Sequence, residues 1–510
     1  MNTTNANNPN YTNGDYAEAV AEMTLVQDVI EGSRAVRKKG QEYLPKYFAE
    51  RQESYNLRLK IASLFPATQR TWQGLVGMAF RKEIKLSEEV PVQIRGVEAN
   101  QDAAEVEGHW ENIDLQGTHG SVFAQHVFEL AVRDGHAAVL VDAPPLPEQG
   151  NNAAGTLTQA DTAGWRPYWV CYEKCQILLP IRATVENGRL FLQQIRFKEE
   201  STEPDGAFGE TEVCRVRVLE RTGQGKDARI TWRLYRKMND KDEWMVDDEG
   251  VVNLPEIPVA FFYTRKEETG ESCPPLTELA ELNLRHYRLL SNHEKALTLC
   301  VPIPVGVGIN NAEKQITIGT EDLIKHGPEG KFYFAEPTGT SLVPTAAEIE
   351  KTESRMAKIG LSLLEPKPAT GPQTATESLL DNLAEMSELA LWVKYLKDGI
   401  ERCLGYHAAY LGEPSGGSVE IGATSEQLTL APDKLRVLSD MVEKDQFPLD
   451  ALWALMERGG DTPEHWKPET ALQAVEKSKA DKAAQFAATQ ATIGANALKA
   501  FDAGAASNAA

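Results

Sequence analysis

PPLTELAELNLRHYRLLSNHEKALTLC, Pro274 to Cys300, is the stretch from which the rest of the chain can be read. Two prolines open it and none interrupts it, which suits a helix whose first turn needs no proline N–H. Leu276, Leu279, Leu289, Leu290 and Leu297 form its apolar stripe and need a partner. The rod spans roughly 40 Å at the α-helical rise, and Val301-Pro302 ends it. Residues 301–344 then break into short β-prone pieces, IPVGVGI, QITI, KFYFAEP and SLVP. Thr345-Ala346-Ala347-Glu348 has the T-x-x-E pattern whose side chains satisfy free N–H groups at a helix start. Ile349, Thr352, Met356, Ile359 and Leu363 continue that second helix, and Glu365-Pro366 stops it. Two helices that flank a compact β module are expected to run antiparallel.

Downstream, PKPATGPQ (Pro366 to Gln373) cannot be helical. A second T-x-x-E box, Thr374 to Glu377, predicts a long amphipathic helix ending near Leu411, with Gly412 and Pro414 as its stop. SVEIGATSEQLTL reads as a strand or two, short helices follow, and the last forty residues are Ala-rich, a helix fraying into a disordered end. Upstream, a polar arm leads into helical stretches interrupted at Tyr43-Leu44-Pro45 and again near Pro66. Gly74 and Gly77 in GLVGMAF suggest close packing or a turn. SVFAQHVFELAVRDG is a helical stripe closed by Gly135, and AAVLVDAPP is a short buried strand stopped by prolines. Pro144 to Gly164 is a surface loop by composition. RPYWVCYEKCQILL, RLFLQQIRF, VCRVRVLER and ITWRLYRKM are strands at hairpin-length gaps, so the first half is an α+β domain with mostly antiparallel strands.

The chain has 510 residues, with 53 Lys+Arg against 75 Asp+Glu and a formal charge of −22. That balance excludes a protein whose whole surface grips nucleic acid, because phosphates repel it. The opening, Met1 to Asp15, lacks a charged n-region and apolar core, so no secretory signal is expected. No apolar run approaches the roughly 20 residues that span a bilayer. The six cysteines are scattered, and the one C-x3-C, Cys171 and Cys175, has no second ligand pair, so buried free thiols in a reducing cytoplasm are expected.

Chemistry is hard to find. HEKAL begins like a zinc helix, but Leu297 stands where the second His is needed, and His286 lies two turns from His293. They read as surface or packing histidines. Gly360-Leu361-Ser362 lacks the closing Gly of a nucleophile elbow. GPEGKF has no Ser or Thr to hold magnesium, and VGVGINN is a lone G-x-G. No catalytic residue, metal ligand or cofactor site is read, and the expectation is that the chain is not an enzyme.

What remains is a segment order, and it resembles the portal proteins of tailed bacteriophages, the head-tail connectors of the portal vertex. YNLRLKIASLFPATQRTWQGLVGMAFRK (Tyr55 to Lys82), DGHAAVLVDAPP (Asp134 to Pro145) and PPLTELAELNLRHYRLLSNHEKAL (Pro274 to Leu297) resemble one subfamily, and the likeness covers most of residues 40–460. The resemblance implies an α+β multidomain, portal-type fold. Its parts would be an N-terminal arm (1–40), a mixed α/β wing (41–270), a first stem helix (274–300) and a β-rich clip (301–344). A second stem helix (345–365), a tunnel loop (366–373), a long wing helix and strand (374–425) and a helical crown with an Ala-rich tail (426–510) would follow.

It also implies a homo-oligomeric ring of about twelve subunits at one capsid vertex. Double-stranded DNA would pass through it without sequence preference, in packaging and in ejection. The implied partners are the terminase large subunit, a head-tail adaptor and the major capsid protein, with no membrane and no cofactor. The implied location is the virion, and the host cytoplasm during assembly. Such portals line their tunnel with the second stem helix and the following loop. Here Lys351, Arg355 and Lys358 sit at i, i+4 and i+7, and Lys367 begins the loop. These four are the expected DNA contacts. A solvated face is the plainer reading, since Glu348, Glu350 and Glu353 interleave with them. Lys314, Lys325 and Lys331 of the clip are the expected contacts for terminase or adaptor. The competing expectations are another phage structural or assembly protein, and an enzyme such as a hydrolase or nucleotidyl transferase with an unrecognised site.

Overall fold

The computed structural model describes residues 7–97, 107–144, 165–238, 243–300, 303–307, 330–335, 339, 342–362 and 388–421. The chain divides into two compact units, Met1–Ala423 and Thr424–Ala510, and every described residue lies in the first. The expected crown, the tunnel loop, the loop at 145–164 and the start of the long wing helix lie outside the described residues.

The fold is mixed α/β, and every described strand pair is antiparallel. The helices near the start are α1 (Gly14–Glu31), α2 (Ser33–Lys39), α3 (Gln52–Ile61) and α4 (Ala67–Ala79). Strand β1 (Lys85–Leu86), α5 (Val92–Arg95) and α6 (Gly120–Asp134) come next. The wall of the molecule is a three-stranded sheet of β2 (His136–Asp142), β3 (Tyr168–Glu173) and β9 (Val259–Tyr263), in the order β3-β2-β9. Strands β4 (Ile177–Glu186), β5 (Arg189–Asp205), β6 (Gly209–Thr222), β7 (Arg229–Lys237) and β8 (Trp244–Val252) form a five-stranded meander beside it.

β2 reads as an unbroken apolar run because both of its faces are buried. Ala137, Val139 and Val141 face a helical core with Phe128, Leu130 and Phe262. Ala138 and Leu140 face a second core with Ile195, Phe197, Leu219 and Ile230 from the meander. Charged struts join the two sheets at their edge. Arg217 reaches Asp142 at 3.1 Å and Glu199 at 2.7 Å, and Tyr172 donates to Glu199 at 2.6 Å.

Gly135 closes α6 at φ 96°, a left-handed value that favours glycine. A Cβ there would also lie 2.8 Å from the Cys273 carbonyl carbon, so the position is closed to side chains twice over. Its carbonyl accepts from Thr264 N, Thr264 Oγ and Ser272 Oγ, each at 3.0 Å.

Two expectations are corrected. The segment read as an arm carries α1, whose Met23, Val26, Val29 and Ile30 are buried in the body. The helical stretch expected before Tyr43 is present, and it belongs to the body and not to a separate arm. Gly74 and Gly77 lie within α4 with open space where a Cβ would go, so neither marks a turn or a close contact.

Candidate functional site: the helical hairpin and its β tip

The remaining described elements are α7 (Thr277–Leu299), β10 (Ile303–Val307), β11 (Lys331–Ala335), α8 (Leu342–Ser362), α9 (Glu388–Leu411) and β12 (Val419–Glu420), which pairs with β1. α7 is fixed to the body in two ways. Its first half buries Leu279, Ala280, Leu284 and Tyr287. Asn283, also buried, accepts from Thr68 N and Oγ at 3.2 and 3.0 Å and donates to the Phe65 carbonyl at 2.9 Å. A buried amide is tolerated because those partners satisfy it.

The second half is held by polar groups. Arg288 donates to the Tyr43 carbonyl at 2.8 Å, and Lys295 meets Glu50 at 2.8 Å. Glu50 also accepts from Arg58 Nε at 3.0 Å and Nη at 2.8 Å. The Arg58 hydrogen bonds hold its carboxyl down at about 2. Along this half Leu289 and Leu290 are half-buried and Leu297 is exposed, so the apolar stripe is only partly covered.

α8 packs on α7 in the antiparallel sense. Arg285 pairs with Glu348 at 2.8 Å, His286 with Glu353 at 3.0 Å, and His293 Nδ1 with Thr345 Oγ at 2.9 Å. Ile349, Thr352 and Met356 are buried at the contact. Both histidines therefore sit at the helix–helix seam. The capping box at Thr345 does not form. The helix begins three residues earlier at Leu342, since Pro344 fits a first turn, and Thr345 Oγ donates to the Leu342 carbonyl at 2.9 Å. Glu348 is then free to reach Arg285.

That arrangement sorts the charges of α8. Glu348 and Glu353 reach partners on α7, while Lys351, Arg355 and Lys358 are exposed within an arc of about 60° that Glu348 borders, and Glu350 is exposed beside them. None of these three forms an ion pair with a described residue. The structure thus brings together three of the four expected DNA contacts; Lys367 lies outside the described residues.

Between the helices, β10 and β11 form an antiparallel ribbon registered from Ile303↔Ala335 to Val307↔Lys331. Val307, Tyr333 and Phe334 are exposed on it, and neighbouring Val343 is 76% exposed. Lys331 is exposed at the open end of the ribbon, whereas Lys314 and Lys325 lie outside the described residues. Two strands alone are marginal in water, and this ribbon has no third strand among the described residues.

This region is the part of the chain that matches a known family. Residues 275–411 match a family described as a domain of unknown function, DUF4055. No curated protein matches the chain. The matched span runs from the start of α7 to the end of α9, so it includes the hairpin, the ribbon and the cationic face.

Burial pushes the Cys171 thiol up to about 12 and the Cys175 thiol up to about 11. All six cysteines are free, but only Cys403 is buried; four are half-buried and Cys273 is exposed, which corrects the expectation of buried thiols. Cys171 lies within β3 and Cys175 in the turn that follows it, and both are half-buried. No group of three or more potential metal ligands occurs among the described residues, and no described helix is long and apolar enough to cross a membrane. The Glu50–Arg58–Lys295 cluster was not legible in the sequence, because its members are brought together across 245 residues.

Proposed function

We propose that this chain is a portal-type subunit: copies assemble as a ring of about twelve around a bore that passes double-stranded DNA. The observation that carries the reading is the hairpin itself, with three exposed cations on α8 that form no ion pair among the described residues and apolar side chains left exposed at its far end. A conduit must pass every sequence and hold none. Each neutralised phosphate adds about 0.9 to the salt slope of binding, and a ring multiplies that contribution. A chain of net charge −22 with a thin cationic line meets the requirement better than a basic groove. Lys351, Arg355, Lys358 and Lys367 would supply weak, sequence-blind phosphate contacts. The ribbon end would dock the terminase ATPase during packaging and a head-tail adaptor afterwards, with Lys314, Lys325 and Lys331 at the rim. The capsid protein would surround the ring in the virion.

Two measurements test this. Negative-stain images and solution mass of the full chain are expected to give rings with an open bore; a compact monomer or a closed small oligomer overturns the reading. Replacing the four cations together by Gln is expected to change DNA packaging or retention while rings still form. Unchanged packaging would remove these residues from the tunnel.

A further inference from the structure

The meander carries an element that the portal reading does not use. β5 and β6 pair from Gln194↔Glu220 out to Asp205↔Gly209, whereas β7 pairs with β6 only over Arg215–Thr222. The hairpin beyond Arg215 therefore projects past its neighbour. Its base is locked, since Glu203 accepts from Arg215 and Arg236, and Arg215 also reaches Asp247 at 3.2 Å. At the tip Phe208 is 102% exposed. Six carboxylates and no cation lie between Glu199 and Glu212. Of these, Asp205, Glu210 and Glu212 are exposed with no ion-pair partner among the described residues.

A surface of opposite character lies on the same chain. Residues 33–95 hold 13 Lys and Arg against 6 Asp and Glu, a local excess within an acidic molecule. On α3 and its approach, Phe48 is 108% exposed, Leu57 61% and Ile61 56%. Lys46, Arg51 and Lys60 are close to these residues in sequence and have no ion-pair partners among the described residues, and Glu53 is the acid of α3 on that side.

We infer that the β5–β6 tip of one copy docks on the α3 face of the next, with Phe208 seated among Phe48, Leu57 and Ile61 and the tip carboxylates against the surrounding cations. The occupant is a second copy because one chain carries both halves of the match, an aromatic with carboxylates and an apolar face with cations. The two surfaces differ, so the contact is head-to-tail and propagates until it closes. Closure into a ring rests on the portal reading; the docking contact does not.

Two full-length variants test it. One carries Asp205→Lys, Glu210→Lys and Glu212→Lys; the other carries Lys46→Glu, Arg51→Glu and Lys60→Glu. Like charges facing each other cost several kcal/mol. Each variant alone is thus expected to self-associate on the order of 100-fold more weakly than the parent chain. An equal mixture is expected to recover assembly, because each variant then offers one matched contact to the other. Thermal melts at the parent temperature establish that both variants are folded. A milder pair, Phe208→Ser and Leu57→Ser, probes the same contact without charge, with weaker association expected from each. Assembly of either charge variant at parental strength, a mixture of folded variants that stays apart, or a parent chain that remains monomeric overturns the docking. If parental rings persist in the variants, only the docking fails. If the mixture assembles as open filaments without a bore, the docking stands and the portal reading fails.

Discussion

Most cations of the meander are paired, and those on α8 form no ion pair among the described residues. Among the described residues of the sheets, Arg189, Arg215, Arg217, Arg221, Arg233 and Arg236 each have a carboxylate partner. On α8, Glu348 and Glu353 pair with α7, whereas Lys351, Arg355, Lys358 and also Glu350 are exposed without an ion pair to a described residue. The contrast separates charge that holds the fold from charge available to something outside it. It predicts that removing a buried, paired cation damages the protein and that removing an exposed cation changes little.

The largest effect is expected from the Glu50 cluster. Arg58→Ala leaves a buried carboxylate with Lys295 alone and should destabilise the protein by about 3–5 kcal/mol in a denaturant titration. A loss under 1 kcal/mol would mean that the cluster is not structural.

Acid comes next. Burial, with Lys174 as a second cause, pushes His136 down to about 3, and burial followed by His109 and Arg166 does the same to His407. Both folded values lie below the ordinary value of about 6.5, so the unfolded chain binds more protons between the two. Their contribution to stability is complete above about pH 6.5 and falls as the pH drops toward 3, by about 1.4 kcal/mol per pH unit for each histidine. Neither ring nitrogen of His136 has a partner, so His136→Leu is expected to remove one proton from that slope without removing a hydrogen bond. A slope unchanged by the substitution would reject the assignment. Glu50 adds a loss of the same sign at lower pH, as its carboxyl is protonated between about 4.5 and about 2.

The smallest effect belongs to α8. Lys351→Gln, Arg355→Gln and Lys358→Gln together should change stability by less than about 0.5 kcal/mol, as exposed positions without partners do. A larger loss would place them among the structural cations and weaken their assignment to DNA.

Much of the framework could be read from the residues. Gly135 after a helical stripe, the apolar run of β2, and the proline-bounded span of α7 each combine a periodic signal with a stop signal. Elements whose patterning is compromised could not. β8 reads WMVDDEGVV, and its acids obscure a strand that Arg233–Glu249 and Arg215–Asp247 tie down from neighbouring segments. β9 is five residues, too short for alternation to show. The start of α8 was misplaced because a capping pattern is visible in sequence, while the seam that recruits Thr345 and Glu348 is not. The cationic trio was legible as spacing, but the pairing of Glu348 and Glu353 with Arg285 and His286 depended on where α7 lies.

The three donors on the Gly135 carbonyl have a mechanical consequence. Ser272 sits just ahead of the prolines that open α7, Thr264 ends β9, and Gly135 joins α6 to β2. One oxygen therefore ties the segment that leads into the long rod, through Ser272, to the central wall. Load at the root of the rod reaches the wall through the Ser272 hydroxyl, while the two Thr264 bonds tie the end of β9 to the start of β2.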